Sequence, residues 1–271
     1  MNIEFIREIG PTRWVVRTFM RQFSKRILRC DNNIVLPNGL RMRLPRTSKF
    51  STEVFVSQCN VDWGSEQLFA LHLDPGRAVI DVGANVGYYS LYMLPRVASV
   101  HAFEPDSRAR KTLERNLSGH SRAYVHPQAV GATCGTARFV LAESSEVSHV
   151  ANANESSAVE IEMITIDRFV AENRLSVTGI KIDAEGADID VLEGAKATLD
   201  SHLPLVLIET APNQPLFQLV LPLNYRVFAF VKHLDTHSFH FQEIECDSRE
   251  RTKMLFLVPP RLHATFAELI N

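Results

Sequence analysis

Apolar and polar positions along the chain recur in patterns that mark out its elements. A short apolar run, Val79-Ile80-Asp81-Val82, fits a buried parallel strand. A turn of small residues, Gly83, Ala84 and Gly87, follows it, and a tyrosine-rich helical run starts near Tyr88. Further apolar runs predict strands at 99–103, 123–130, 179–183 and 205–208. Shorter strands are expected at 137–141 and 159–163, and two more in the tail at 225–230 and 254–258. Thr165 is positioned to cap a helix reaching about residue 173, with Asp167 in its first turn. Glu185-Gly186 opens another, with Ile189, Leu192 and Ala195 inward. The polar, serine-rich stretch 142–157 is long for a plain connection and reads as a mobile substrate-side loop or as simple disorder.

The first thirty residues follow a different rule. Val15, Phe19, Phe23 and Ile27 recur every four residues, with Val16 and Met20 beside them. Arg13, Arg17, Arg21, Lys25 and Arg29 form a second ladder at the same spacing, on the opposite helical face. Like charges four apart cost roughly 0.2–0.5 kcal/mol per pair. Either an acidic partner or membrane surface offsets that cost, or the basic face is well solvated on a helix docked to its own domain. The helix also offers a homodimer interface. Residues 31–57 read as short strands about an Asn38-Gly39 turn, with Met42 and Leu44 on alternate positions. An extension of 1–57 ahead of a main domain of 58–271 is the expected division.

A strand that enters a helix through a glycine turn gathers backbone N–H groups at the positive helix end, where an anionic group is stabilised. A dinucleotide fingerprint needs glycines at the first, third and sixth positions of that turn. Here they are Gly83, Asn85 and Tyr88, so a nicotinamide cofactor fails at two of three. Glu104, followed by Pro105, ends the second strand, where a carboxylate can accept both ribose hydroxyls. Ala129 and Val130 end the third, near where an adenine would lie. At the ends of the fourth and fifth strands stand Asp183, Glu185 and Glu209, with Lys181 on the same face as Asp183. Glu66 either reaches the far end of a cofactor or caps the helix that follows it.

Composition narrows the picture only by exclusion. A net charge of −2 gives no support for nucleic-acid binding. The four cysteines form no Cys-x-x-Cys pair, so a zinc site or disulfide framework is not expected and a cytoplasmic setting fits. No apolar run approaches a membrane span. His233, His237 and His240 sit in a polar excursion and read as exposed or substrate-side groups, not metal ligands.

Three stretches together resemble the FkbM-type methyltransferase family. They are residues 80–90, the Ala102-Phe103-Glu104-Pro105 segment, and Lys181-Ile182-Asp183-Ala184-Glu185-Gly186 continuing to Ala195. The resemblance implies a class I, Rossmann-like α/β fold: a seven-stranded, mostly parallel sheet with helices on both faces. It also implies S-adenosylmethionine as cofactor, held by Glu66, Asp81, Gly83, Ala84, Asn85, Gly87, Tyr88, Glu104, Pro105, Ala129, Val130 and Asp183. The methyl acceptor would be a hydroxyl on a small molecule, sugar, glycan or natural product. In-line transfer would use Asp183 as base, Lys181 to keep it ionised or orient it and Glu209 to fix the substrate. Two alternatives stay open. Asp183, Glu185 and Glu209 could hold a divalent cation, or the fold could be a non-catalytic nucleotide- or glycan-binding module.

Overall fold

The computed structural model describes residues 3–140, 149–150, 158–232 and 239–270. Of the stretch 142–157 only residues 149 and 150 are among them, and His233 and His237 lie outside the described residues. In chain order, β1 (Asn32–Val35) and β2 (Arg41–Leu44) form an antiparallel hairpin about Asn38-Gly39. The Asn38 amide donates to the Leu91 and Tyr92 carbonyls at 2.8 and 3.0 Å, tying the hairpin to the helix Tyr88–Met93. Next come β3 (Ala78–Val82), β4 (Ser99–Phe103) and β5 (Ala123–His126), then β6 (Ala129–Val130), β7 (Gly135–Val140), β8 (His149–Val150) and β9 (Ala158–Ile164). The chain finishes its sheets with β10 (Val177–Ile182), β11 (Leu205–Ile208), β12 (Arg226–Lys232), β13 (Phe239–Glu243) and β14 (Leu255–Val258).

The central sheet has eight strands in the order β13-β12-β14-β11-β10-β3-β4-β5. The five strands from β11 to β5 run parallel, and β14, β12 and β13 add antiparallel pairings. Both faces are covered. Val79, Leu205 and Phe228 belong to one apolar cluster, while their neighbours Ile80, Val206 and Val227 belong to the other. Period-two side-chain alternation sends adjacent residues to opposite sides, and continuous apolar runs are what two buried faces require. Met42, Leu44 and Val54 from the first 57 residues pack in the same cluster as Val79.

Four expectations need correction. The run 123–130 is two strands, because Pro127 has no N–H to continue the ladder and the chain leaves for a second sheet. That sheet has the order β6-β9-β7-β8. The central sheet has eight strands instead of seven, because the tail excursion contains β13 and with it His240. Its Phe241 is buried and stacks on Phe228 with ring centroids 5.8 Å apart. Residues 31–57 hold a helix, Phe50–Ser57, beside the hairpin.

The fourth correction concerns the amino-terminal helix, Pro11–Phe23, which continues as a π-helical turn, Ser24–Leu28. Its two ladders do face opposite ways, but the middle of the basic one, Arg17, Arg21 and Lys25, turns toward the protein, while Arg13 and Arg29 at its ends stay exposed. Arg21 is fully buried and donates to the Leu44 and Pro45 carbonyls and to Asn32 Oδ1, at 3.3, 2.6 and 2.6 Å. Arg17 donates to the Val56 carbonyl at 2.9 Å and Lys25 to Thr52 Oγ1 at 3.3 Å. The hydrogen-bonded carbonyls on the body of the protein demand donors, and the arginines supply them. Replacing Arg21 by Leu strands those carbonyls and should cost about 3 kcal/mol, read as a lower urea midpoint at unchanged slope.

On β4 and β5, His101 and His126 stack at 5.5 Å and contact each other through Nδ1 and Nε2 at 3.2 Å. Burial lowers both from 6.5 to about 4, with mutual repulsion adding to the shift of His101. Unfolded histidines take up protons below about pH 6.5, whereas the folded pair does so only near 4. Acidification through that window therefore favours the unfolded chain. Thermal scans between pH 6.5 and 5 should show His126→Asn losing less stability than wild type, by up to about 1 kcal/mol per pH unit.

Candidate active site

The parallel strands β3, β4, β10 and β11 end at a common edge. Backbone bonds carry the ladder one residue past each strand: Asp183 N–H donates to the Val82 carbonyl at 3.2 Å, and Glu209 N–H to the Ile182 carbonyl at 3.0 Å. Glu104 N–H donates to the His126 carbonyl and Ala84 N–H to the Phe103 carbonyl, each at 3.0 Å. Three carboxylates thus reach one rim because their strands stop at the same level. Gly83 sits at its centre with φ 68°, where an added Cβ would lie 1.8 Å from the Asp183 carbonyl oxygen. No side chain fits there. Gly87, with φ 92°, has a packing reason instead: its Cβ would meet Leu113 at 2.8 Å.

Glu104 is held by two backbone amides, Asn85 N–H on Oε2 and Asp106 N–H on Oε1, both at 2.8 Å. Burial raises its pKa to about 7, against the lowering effect of the two N–H donors. Each oxygen keeps a lone pair, so the group can still accept from a diol. It lines a narrow slot of about 60 Å³ with Val82, Phe103, Val130, Phe139 and Asp183. Gly83, Asn85, Pro105 and Ala129 also border the slot. The Asn85 side-chain oxygen is buried and has no hydrogen-bond partner.

The slot adjoins a cavity of about 440 Å³, and Gly83, Asn85, Asp183 and Glu185 line both. Ala84, Tyr88, Lys181 and Glu209 line the larger space. Lys181 is buried, with its ammonium 3.0 Å from the Gly83 carbonyl, 3.2 Å from Asp183 Oδ2 and 3.8 Å from Asp81 Oδ1. Burial works against its charge, but Asp183 and Asp81 outweigh it and hold its pKa above the ordinary lysine value. Burial, reinforced by Asp183, lifts Glu209 well above the usual carboxylate range. Burial and Asp183 likewise raise Glu185 to about 7.

Three anticipated cofactor residues lie behind the walls. Asp81 is fully buried and accepts a 2.5 Å bond from Ser90 Oγ. Glu66 Oε1 accepts from the Val61 and Asp62 amides and from the Tyr88 hydroxyl, at 2.7, 2.9 and 2.9 Å, which caps the turn ahead of the helix Ser65–Leu71. Gly87 packs on Leu113, as above. The loop after β10 is held by Asp188, not by Glu185: Asp188 Oδ1 accepts from Ala184 N–H at 2.8 Å and Oδ2 from Gly186 N–H at 3.3 Å. Asp183, Glu185 and Glu209 share a cavity without converging as ligands, and among the described residues no three acidic, histidine or cysteine side chains are arranged to hold a metal.

Several lining residues carried no recognisable signal in the sequence. Phe139 on β7 closes the slot, and Lys253 and Met254 reach the larger cavity from just before β14. Lys49, Glu53 and Lys253 also border a further cavity of about 510 Å³, whose other walls include Trp14, Thr18 and Trp63. An apolar slot floored by a diol-accepting carboxylate suits a nucleoside. The adjoining cavity, with a carboxylate oriented by an ammonium, suits removal of a proton from a second molecule.

The family described as "Methyltransferase FkbM domain" matches residues 81–244. The AMB antimetabolite synthetase AmbE of Pseudomonas aeruginosa is 37% identical over 91 residues, covering 32% of this chain and 4% of that protein. "Methyltransferase 1" of Beauveria bassiana is 26% identical over 154 residues, covering 47% of this chain and 61% of the relative. The match thus reaches less than two thirds of the length of either relative. Among solved structures, a methyltransferase FkbM from Methylobacillus flagellatus aligns at a TM-score of 0.43 and 16% identity, over 76% of this chain and 52% of that one. With the family match extending from β3 to just beyond β13, the chain belongs to the FkbM methyltransferase family.

Proposed function

We propose that this methyltransferase transfers the methyl group of S-adenosylmethionine to a hydroxyl of a sugar, glycan or natural product, with Asp183 as the general base. The observation that carries this reading is that Asp183 borders both the slot holding Glu104 and the roomier cavity beside it. The residues present fit the cofactor. Glu104 has lone pairs for the ribose hydroxyls, Val82, Phe103, Val130 and Phe139 offer apolar contact to a base, and the unpartnered Asn85 oxygen is a free acceptor. When bound, the cofactor supplies an electrophilic methyl group on a sulfonium.

The remaining work falls to the chain's own groups. A hydroxyl becomes a competent nucleophile as its proton leaves, and a positioned base is worth roughly 10²–10⁴ in rate. Lys181 bonds Asp183 Oδ2 and so fixes the carboxylate's orientation, while Oδ1 has no hydrogen bond among the described residues and can take the proton. Glu209, raised by burial and by Asp183, keeps a proton into the neutral range and can donate a hydrogen bond to a second acceptor oxygen. Holding the acceptor in one orientation contributes further, since alignment of the reacting groups is itself a large part of such accelerations.

Two variants separate the two halves of the site. Replacing Asp183 by Asn should lower methyl transfer from radiolabelled S-adenosylmethionine to a panel of hydroxylated acceptors by roughly 10²–10⁴-fold. The same variant should bind S-adenosylhomocysteine within a few-fold of wild type by calorimetry. Turnover close to wild type would remove the role given to Asp183. Replacing Glu104 by Gln should do the reverse at the binding step, weakening the product cofactor by about 10–100-fold. Undiminished binding would disconnect the slot from the ribose.

A further inference from the structure

The amino-terminal helix is mounted inside out relative to an ordinary surface helix. Arg17, Arg21 and Lys25 turn toward the body, as described above. The apolar ladder is left outside: Phe19 is 68% exposed, Ile27 66% and Val15 56%, with Val16, Met20, Phe23 and Leu28 also exposed. Phe19 and Phe23 stack on each other at 6.2 Å, so the stripe is one continuous patch. A soluble helix normally buries such a stripe and turns its charges to water. Contiguous exposed apolar surface of this kind marks an interaction face.

The charges around the patch identify what covers it. Arg13 lies at one margin, and Arg26 and Arg29 lie near its far end; all three are exposed. No acidic residue occurs anywhere between residues 11 and 30. We propose that this face docks on an anionic phospholipid bilayer surface. The apolar side chains enter the headgroup boundary, and the flanking arginines reach the lipid phosphates. This is surface attachment and not a crossing, since among the described residues no helix is long and apolar enough to span a membrane.

A second copy of the chain is the competing occupant, and both size and charge disfavour it. The 18 residues of Pro11–Leu28 present a strip about 27 Å long and 10 Å wide. That is roughly 270 Å², against about 800 Å² per partner in a stable interface. Face-to-face pairing would also bring the arginine margins of two copies together with no acid between them. A bilayer asks for neither a matching area nor an opposite charge on protein.

Co-sedimentation of the full-length chain with phospholipid vesicles tests this directly. Vesicles containing an equal mixture of phosphatidylcholine and phosphatidylglycerol should bind the protein, and phosphatidylcholine alone should bind it much more weakly. The double variant F19S/I27S should lose at least tenfold in affinity while keeping the wild-type melting profile, because both positions are exposed. The double variant R13Q/R26Q should weaken binding about fivefold per arginine and flatten its salt dependence. Failure to sediment with anionic vesicles at low salt would overturn the proposal. So would sedimentation indifferent to F19S/I27S. A dimer in analytical ultracentrifugation that the same pair of substitutions dissolves would assign the face to a second copy instead.

Discussion

The buried ammonium of Lys181 is the interaction on which the site depends. Register sets it beside Asp81, its partner across the β10–β3 pairing. One strand end later it meets Asp183, and it donates to the carbonyls of Val82 and Gly83 that begin the turn. A single cation therefore compensates a fully buried acid, a turn and the Asp183 carboxylate at the cavity wall. Without it Asp81 would be a buried charge beside only the hydroxyl and backbone N–H of Ser90, a costly arrangement in a low-dielectric interior. Ile80, Ile180 and Ile182 alternate with these residues and pack the opposite face of the sheet.

Geometry at the rim follows from the same junction. Gly83 and Asp183 directly follow the neighbouring strands β3 and β10, and their backbones approach so closely that only glycine is admitted at 83. Slot and cavity therefore keep a fixed offset from each other. The slot's second wall comes from a different source, Phe139 of the smaller sheet, together with Ala129 and Val130 where β6 joins it. Two sheets meet across the slot, the central eight-stranded one and the smaller four-stranded one.

How much of this was readable in advance depended on the kind of signal. Strands β3, β4, β10 and β11 were legible because residues buried on both faces leave unbroken apolar runs. The strand-end positions of Glu104, Asp183 and Glu209 were legible for the same reason, since each directly follows such a run. The split at Pro127 was signalled by a missing donor that the run 123–130 concealed. Strand β13 escaped because an edge strand buries little, so Phe239-His240-Phe241-Gln242-Glu243 looks polar. Glu66 could be narrowed to two roles, and the local amides of Val61 and Asp62 are bound to it. The orientation of the amino-terminal helix was not readable at all. A helical wheel separates two faces but is silent on which one finds carbonyl groups waiting, and Arg21 found those of Leu44 and Pro45.

The same helix forms a wall of the 510 Å³ cavity through Trp14, Thr18, Gln22 and Lys25. Trimming the first thirty residues to obtain a minimal catalytic fragment would thus remove a structural arginine and unroof that chamber in one cut. Deletion would confound folding with ligand access at this end of the molecule. Only single-residue changes can tell them apart.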